Sequence, residues 1–214
     1  MVRTNKFAEQ VCELDLESPR DCGYLQAMMD IAVKAETLGN PDIHEEEAWL
    51  LWVVGRLEQV DNFPELDSSE CDAHPKGKGV NVRRQIIGRV QFCDVLIEPH
   101  GIIPHHSHQN VNGVMRVIEG ELTSNNFDLL EQDAEGLLLK PTITTRIKAG
   151  KAITLSRYRD NIHEVVAGPE GVRVLDIFTF MEEGGGCRYI DLQDSFRSNN
   201  GLFRGGWQDN DGYL

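Results

Sequence analysis

His106 and His108 stand two residues apart within the stretch Gly101-Ile-Ile-Pro-His-His-Ser-His-Gln-Asn-Val-Asn-Gly-Val-Met-Arg-Val-Ile-Glu-Gly120. In a β-strand, side chains two apart project from the same face. Two neutral imidazoles on one face can grip a single divalent metal ion. His163 lies further along, in a turn-then-strand context that can bring a third ring to the pair. His105 has the opposite parity and is expected to face away. The plain alternative is a surface cluster of His105, His106 and His108, with His163 bonded to backbone in the core. His44, His74 and His100 fall outside the pattern and are given no role.

The elements that must position these rings follow from hydrophobic periodicity. From Asp21 to Leu38, Leu25, Met28, Met29, Ala32, Val33 and Ala35 recur at helical spacing, and Ser18-Pro19 offers an N-cap. Gly39-Asn-Pro41 separates this helix from a second, Asp42 to Val60, which begins acidic and carries Trp49, Leu50, Trp52, Val53 and Leu57 on one face. The tryptophans read as packing. Residues 61–81 read as loop.

From Val82 onward the pattern changes to short apolar runs: Arg83–Ile87, Val90–Ile97, Val114–Leu122, Leu137–Leu139, Thr142–Ile147, Ala152–Leu155, His163–Val166 and Val172–Phe180. Turn signals fall between them, at Pro99-His-Gly101, Glu119-Gly120 and Ala167-Gly-Pro-Glu-Gly171 among others. Short strands at such spacing, without helices between them, predict a sandwich or barrel rather than a parallel sheet. Glu182 to Gly186 reads as a turn and Cys187–Ile190 as one more strand; Phe196, Phe203 and Trp207 would pin the polar tail to the domain. The expected organisation is a helical extension over 1–81, a barrel over 82–190 and a tail over 191–214.

Charge narrows the partners. The chain of 214 residues holds 35 acidic and 21 basic residues, a net charge of -14. That excess disfavours nucleic acid, whose phosphates need a positive face. Its 5 cysteines are irregularly spaced and form no Cys-x-x-Cys pair, which suits a reducing compartment. No basic-then-apolar leader and no membrane-length apolar run is present, so a cytoplasmic protein is expected.

Gly101, His106, His108 and Gly120 resemble the first motif of the cupin family, whose fold is a double-stranded β-helix, or jelly-roll barrel. Gly150 and His163 resemble the second motif, although Tyr158, Asp160 and Ala167 replace its Pro, Gly and Asn. The resemblance implies a mainly β cupin barrel over roughly residues 82–190, with the N-terminal helices as an appendage. It also implies a metal held by His106, His108 and His163. Gly113 occupies the place of the usual Glu ligand. A three-histidine set without an acid resembles the thiol dioxygenases, in which ferrous iron serves the addition of O₂ to a thiol. Asn161-Ile-His163, Val174-Leu-Asp-Ile177 and Cys187-Arg-Tyr189 are similar to motifs of plant cysteine oxidases and cysteamine dioxygenase. Ile190 stands where those motifs carry a second Tyr, and the Pro-Pro-Tyr that follows their Leu-Asp-Ile is missing. The resemblance implies Fe²⁺, with nickel, copper or zinc as alternatives for such donors, and a small thiol and O₂ as partners.

Further candidates surround this set. Arg83 or Arg84 would grip a substrate carboxylate, or else be an ordinary surface arginine. Asp176, in an apolar strand, either faces solvent or serves the site by holding a substrate amine or a ligand imidazole. Cys187 and Tyr189 share a strand face and either form a thioether pair near the metal or simply pack. Tyr158 would offer its hydroxyl near His163. Rival readings are another metal-dependent cupin enzyme, such as a ring-cleaving dioxygenase or isomerase, and a non-catalytic metal- or small-molecule-binding cupin.

Overall fold

The computed structural model describes residues 22–182, 185–197 and 201–208. Two helices come first, α1 (Cys22–Ala35) and α2 (Ile43–Glu58). The cap expected at Ser18-Pro19 lies outside the described residues. Asp42 caps α2: its carboxylate accepts from the backbone N–H groups of His44 and Glu45, and the Glu45 carboxylate accepts from the Asp42 N–H in return. This reciprocal arrangement satisfies donors that the helix leaves unpaired at its start. One stripe of α2 is buried, through Trp49, Leu50, Val53 and Leu57.

That stripe and Met28, Ile31 and Ala35 of α1 pack on Val90, Phe92, Val114, Leu175 and Ile177 of the strands. The Trp49 indole N–H donates to the Thr179 hydroxyl at 3.1 Å. The two helices thus form a layer on the outside of the β structure. Leu50 is 1% exposed, so Leu50→Ala should cost about 2–5 kcal/mol. Urea unfolding checks this; a change too small to resolve would show the helices to be loosely attached.

The strands are β1 (Asp72–Ala73), β2 (Lys78–Ile87), β3 (Val90–Gln109), β4 (Val111–Asp133), β5 (Gly136–Lys148), β6 (Ala152–Leu155), β7 (Ile162–Phe180), β8 (Gly186–Arg197) and β9 (Phe203–Trp207). Pairing is antiparallel throughout. The order β3-β7-β4-β5-β9-β8 returns to β3 through the β3–β8 pairing, which closes a barrel. The fold is mainly β, a closed antiparallel barrel with a helical appendage at its N-terminal side. The barrel interior holds Val95, Ile103, Val111, Met115, Val117, Leu122, Val165 and Val174. Phe127, Leu137, Leu139, Ile162 and Ile190 form a further cluster, against which Phe203 and Trp207 pack. The Phe196 side chain and the centre of the Glu182–Gly186 turn lie outside the described residues. Among the described residues, no helix is long and apolar enough to cross a membrane.

Several expected breaks are not breaks. Val90–Ile97 runs on through Pro99-His100-Gly101 to the histidines as one strand, and Ile162–Phe180 spans Ala167–Gly171. Bulges absorb the turn residues: the register slips between Ile97 and Ile102, and His100, Gly120 and Gly171 take φ of 59°, 74° and 78°. Each bulge bends the strand while pairing continues beyond it. Gly120 has no substitute here, because a Cβ would collide with the Gly171 carbonyl oxygen. Leu137–Leu139 and Thr142–Ile147 likewise merge into β5. The expected loop at 61–81 contains β1 and the start of β2, so part of it belongs to the sheet.

Candidate metal centre

Register brings the three rings together. His106 lies opposite His163 across the β3–β7 pair and opposite Tyr189 across β3–β8; His108 lies opposite Cys187. Opposed residues of an antiparallel pair project from the same face. His106 and His163 therefore point together, and His108 follows by parity. The Nε2 atoms of His163 and His106 are 2.8 Å apart, and those of His108 and His163 are 3.2 Å apart. All three rings are buried, and their ligand atoms lie within 4.8 Å of one another. Among the described residues no carboxylate joins the group.

The donor set fits a divalent ion. Metal–imidazole bonds of about 2.0–2.1 Å set at right angles place their nitrogens roughly 3 Å apart. The His106 Nδ1–H donates to the Pro104 carbonyl at 2.7 Å, so its proton sits on Nδ1 and the Nε2 lone pair faces His163 Nε2. Burial first, and the neighbouring rings second, hold all three histidines well below their ordinary pKa. They are neutral, as a metal ligand must be. Lowered values carry a sign. In the metal-free protein, the stability they confer is present above about pH 6.5 and is lost as pH falls below it, because the unfolded chain takes up protons first.

Gly113 packs closely against Phe178. A Cβ at Gly113 would lie 3.0 Å from Cδ1 of Phe178. Phe178 stacks on the His108 ring at 4.6 Å. A larger residue at position 113 would therefore press on the ring that braces a ligand. Three neutral imidazoles leave an ion's full double charge unbalanced, which favours an anionic ligand.

A cavity of about 40 Å³ adjoins His106 and His108, enough for roughly three waters at 10–15 Å³ each. Val82, Val95 and Ile103 give it apolar walls, while Arg84, Cys93, Asp176, Cys187 and Tyr189 supply its polar groups. Arg84, Cys93 and Asp176 form one row across β2, β3 and β7. Asp176 is 6% exposed and its Oδ1 has no partner. Burial pushes its carboxyl up to about 8, so the folded protein keeps it protonated at neutral pH. Folding is then favoured most below the ordinary Asp value, about 3.9, and the benefit is lost as pH rises toward the folded value. For the metal-free protein, urea midpoints measured at about pH 5 and about pH 8.5 should fall more for wild type than for Asp176→Asn. Equal falls would place the titration elsewhere.

The structure separates the other candidates. Arg84, at the mouth of the cavity, shares parity with buried Val80 and Val82. Arg83 faces the other way and pairs with Glu70 at 2.5 Å and Asp94 at 3.3 Å, so it is not the arginine of the cavity. Tyr158 is not near the triad: it is 51% exposed and its hydroxyl donates to the Pro41 carbonyl at 3.5 Å. The turn carrying it is drawn to the helices, which its sequence distance from His163 does not disclose. Cys187 and Tyr189 both reach the cavity, the phenol hydrogen-bonded to the thiol. Burial raises both, the Cys187 thiol to about 12. His105 faces away as its parity requires, against Phe127 and 3.7 Å from Glu164.

His74, given no role from sequence, lines the cavity. Its Nδ1 accepts from the Lys76 and Gly77 N–H groups at 3.2 and 2.7 Å. The ring proton is therefore on Nε2, which donates to the Tyr189 hydroxyl oxygen at 3.1 Å. That leaves the phenol's own proton for Cys187. Burial, then Arg84, lowers His74 to about 4, so this arrangement persists at neutral pH. The sequence signal was slight, one His before Pro75-Lys-Gly77 in a polar segment.

No protein-family model and no curated protein matches the sequence. Several solved structures are similar at low sequence identity. The cupin domain of Schizosaccharomyces pombe Cnp3 is 11% identical, with a TM-score of 0.38 over 48% of this chain and 66% of that one. An oxalate oxidase in complex with glycolate is 18% identical, with a TM-score of 0.43 over 60% of this chain and 64% of that one. The polyketide cyclase RemF of Streptomyces resistomycificus is 19% identical, with a TM-score of 0.42 over 62% of this chain and 89% of that one. The chain thus spans just under two thirds of the first two. Fold and site together define a closed antiparallel barrel with a buried group of three imidazoles able to hold a metal ion.

Proposed function

We propose that the protein is an iron-dependent thiol dioxygenase, converting a small thiol such as cysteine and one O₂ into a sulfinic acid. The observation that carries this reading is the acid-free set of three buried neutral imidazoles, with Gly113 packed against Phe178 beside it. Iron bound there would supply a redox-active Lewis acid that favours a thiolate over a neutral ligand. Both oxygen atoms end on sulfur, so no outside reductant is consumed.

The chain's own groups set the conditions. His106, His108 and His163 present lone pairs from rings already neutral, so no proton has to leave them when metal arrives. Val82, Val95 and Ile103 limit water beside the ion, and the small volume selects a small substrate. Arg84 offers a guanidinium at the entrance to an anionic group. Asp176, protonated below about pH 8, can hold a hydrogen bond as donor. The Cys187 and Tyr189 pair lies against the same space, with the phenol oriented by His74.

Oxygen uptake by the iron-loaded protein tests the proposal, with cysteine, cysteamine and 3-mercaptopropionate offered separately. Consumption of one O₂ per sulfinate formed is expected with at least one of them. Uptake confined to an aromatic diol, or none with iron fully loaded, overturns the reading in favour of ring cleavage or non-catalytic binding.

A further inference from the structure

The turn between β6 and β7 joins the helical layer to the histidines. On one side it is held by two acids of α2. Glu46, wholly buried, accepts from the Arg157 backbone N–H and from Arg157 Nε, both at 2.8 Å. Glu47 accepts from Arg159 Nε at 2.8 Å and from Nη2 at 2.7 Å. Arg157 also donates to the Pro41 carbonyl, ahead of the helix, at 2.9 Å. One forked guanidinium–carboxylate contact, Arg159 with Glu47, and one carboxylate shared between the backbone N–H and the guanidinium of Arg157 fix the turn in position and orientation.

On the other side the turn holds the metal-binding strand. Asn161 Nδ2 donates to the Ser156 carbonyl at 3.2 Å, across the turn. Asn161 Oδ1 accepts from the His108 backbone N–H at 2.8 Å and from the Ser107 hydroxyl at 3.0 Å. Asn161 is two residues from His163 along the chain. One amide thus fixes the backbone of His108 directly and that of His163 through the strand that follows it.

Resting on the reading of the three histidines as metal ligands, we propose that Asn161 is a positioning residue for the metal centre. The α2 acids Glu46 and Glu47 support it from the helical layer through Arg157 and Arg159. The helical appendage is then part of the site's supporting structure. Partners that orient ligands without touching the ion commonly govern metal affinity by about 10–100-fold.

Cobalt(II) binding, followed by its visible absorption spectrum, tests this in the full chain without recourse to turnover. Asn161→Ala removes the side-chain acceptor and leaves the His108 N–H only the Asn161 backbone carbonyl at 3.3 Å, whereas Asn161→Asp keeps a side-chain oxygen in place. Expected affinities are about 10–100-fold weaker for Asn161→Ala and close to wild type for Asn161→Asp. Glu47→Gln, at a partly exposed site, should weaken binding by less than Asn161→Ala does, with an altered spectrum. Purely structural damage would lower the unfolding temperature of both Asn161 variants without this split. The proposal is overturned if Asn161→Ala binds as wild type does, if Asn161→Asp is as weak as Asn161→Ala, or if Glu47→Gln leaves affinity and spectrum unchanged. Wild type that takes up no cobalt overturns the underlying ligand assignment instead, a result distinct from all three.

Discussion

His163→Ala should lower affinity for a divalent ion by more than the about 10–100-fold typical of outer partners, because it removes a bond to the ion itself. Protein purified after loading and desalting should then carry almost no iron, against about one ion per chain for wild type. His106→Ala and His108→Ala should behave alike, since among the described residues no carboxylate joins the three donors. Folding should be affected far less. Each ring is buried, but burial of an ionisable group in a neutral state contributes little compared with the apolar interior beside it. Metal analysis alongside circular dichroism separates the two effects. Retention of iron by all three variants would overturn the ligand assignment.

Glu46→Ala should have the largest effect on stability. Its carboxylate is inaccessible to solvent, and Arg157, 13% exposed, loses its chief partner when the acid goes. Removing one member of a buried ion pair costs about 3–5 kcal/mol, most of it from the charge left behind. For a chain of this size, each kcal/mol corresponds to about 2–4 °C in Tm, so a fall of roughly 6–20 °C is expected. Replacing both partners, as in Glu46→Leu with Arg157→Met, should recover much of the loss, since no charge is then stranded. Calorimetry of the single and double variants checks both statements. A double variant no better than the single one would mean that the contact contributes through geometry rather than charge.

These outcomes depend on features that the sequence disclosed unevenly. Parity alone put His106 and His108 on one face and turned His105 away, because a strand offers only two directions. The same rule separates Arg84 from Arg83: Arg84 continues the buried series of Val80 and Val82, and Arg83 does not. The register that sets His163 opposite His106 was not readable, since it depends on bulges near Gly101 and Gly171 whose size no local pattern fixes. For the same reason, strands that looked short proved long. The sequence does not disclose the role of His74, because its place is set by the two-residue pairing of β1 with β2, a contact too brief to leave a periodic trace. Tyr158 was misplaced because ion pairs to residues more than a hundred positions earlier draw its turn toward α2. Glu46 and Glu47 read naturally as acids at a helix N-terminus, and that reading conceals their second role. The helices themselves were plain, because capping at Asp42 and the apolar stripe of α2 are local properties.

The central claim is that three imidazoles, with no acidic residue, hold the ion. Diffraction from cobalt-loaded crystals at the cobalt edge tests it most directly. One anomalous peak is expected about 2.0–2.2 Å from Nε2 of His106, His108 and His163, with no protein carboxylate bonded to it. A peak bonded to Asp176, or one lacking any of the three rings, would contradict the account.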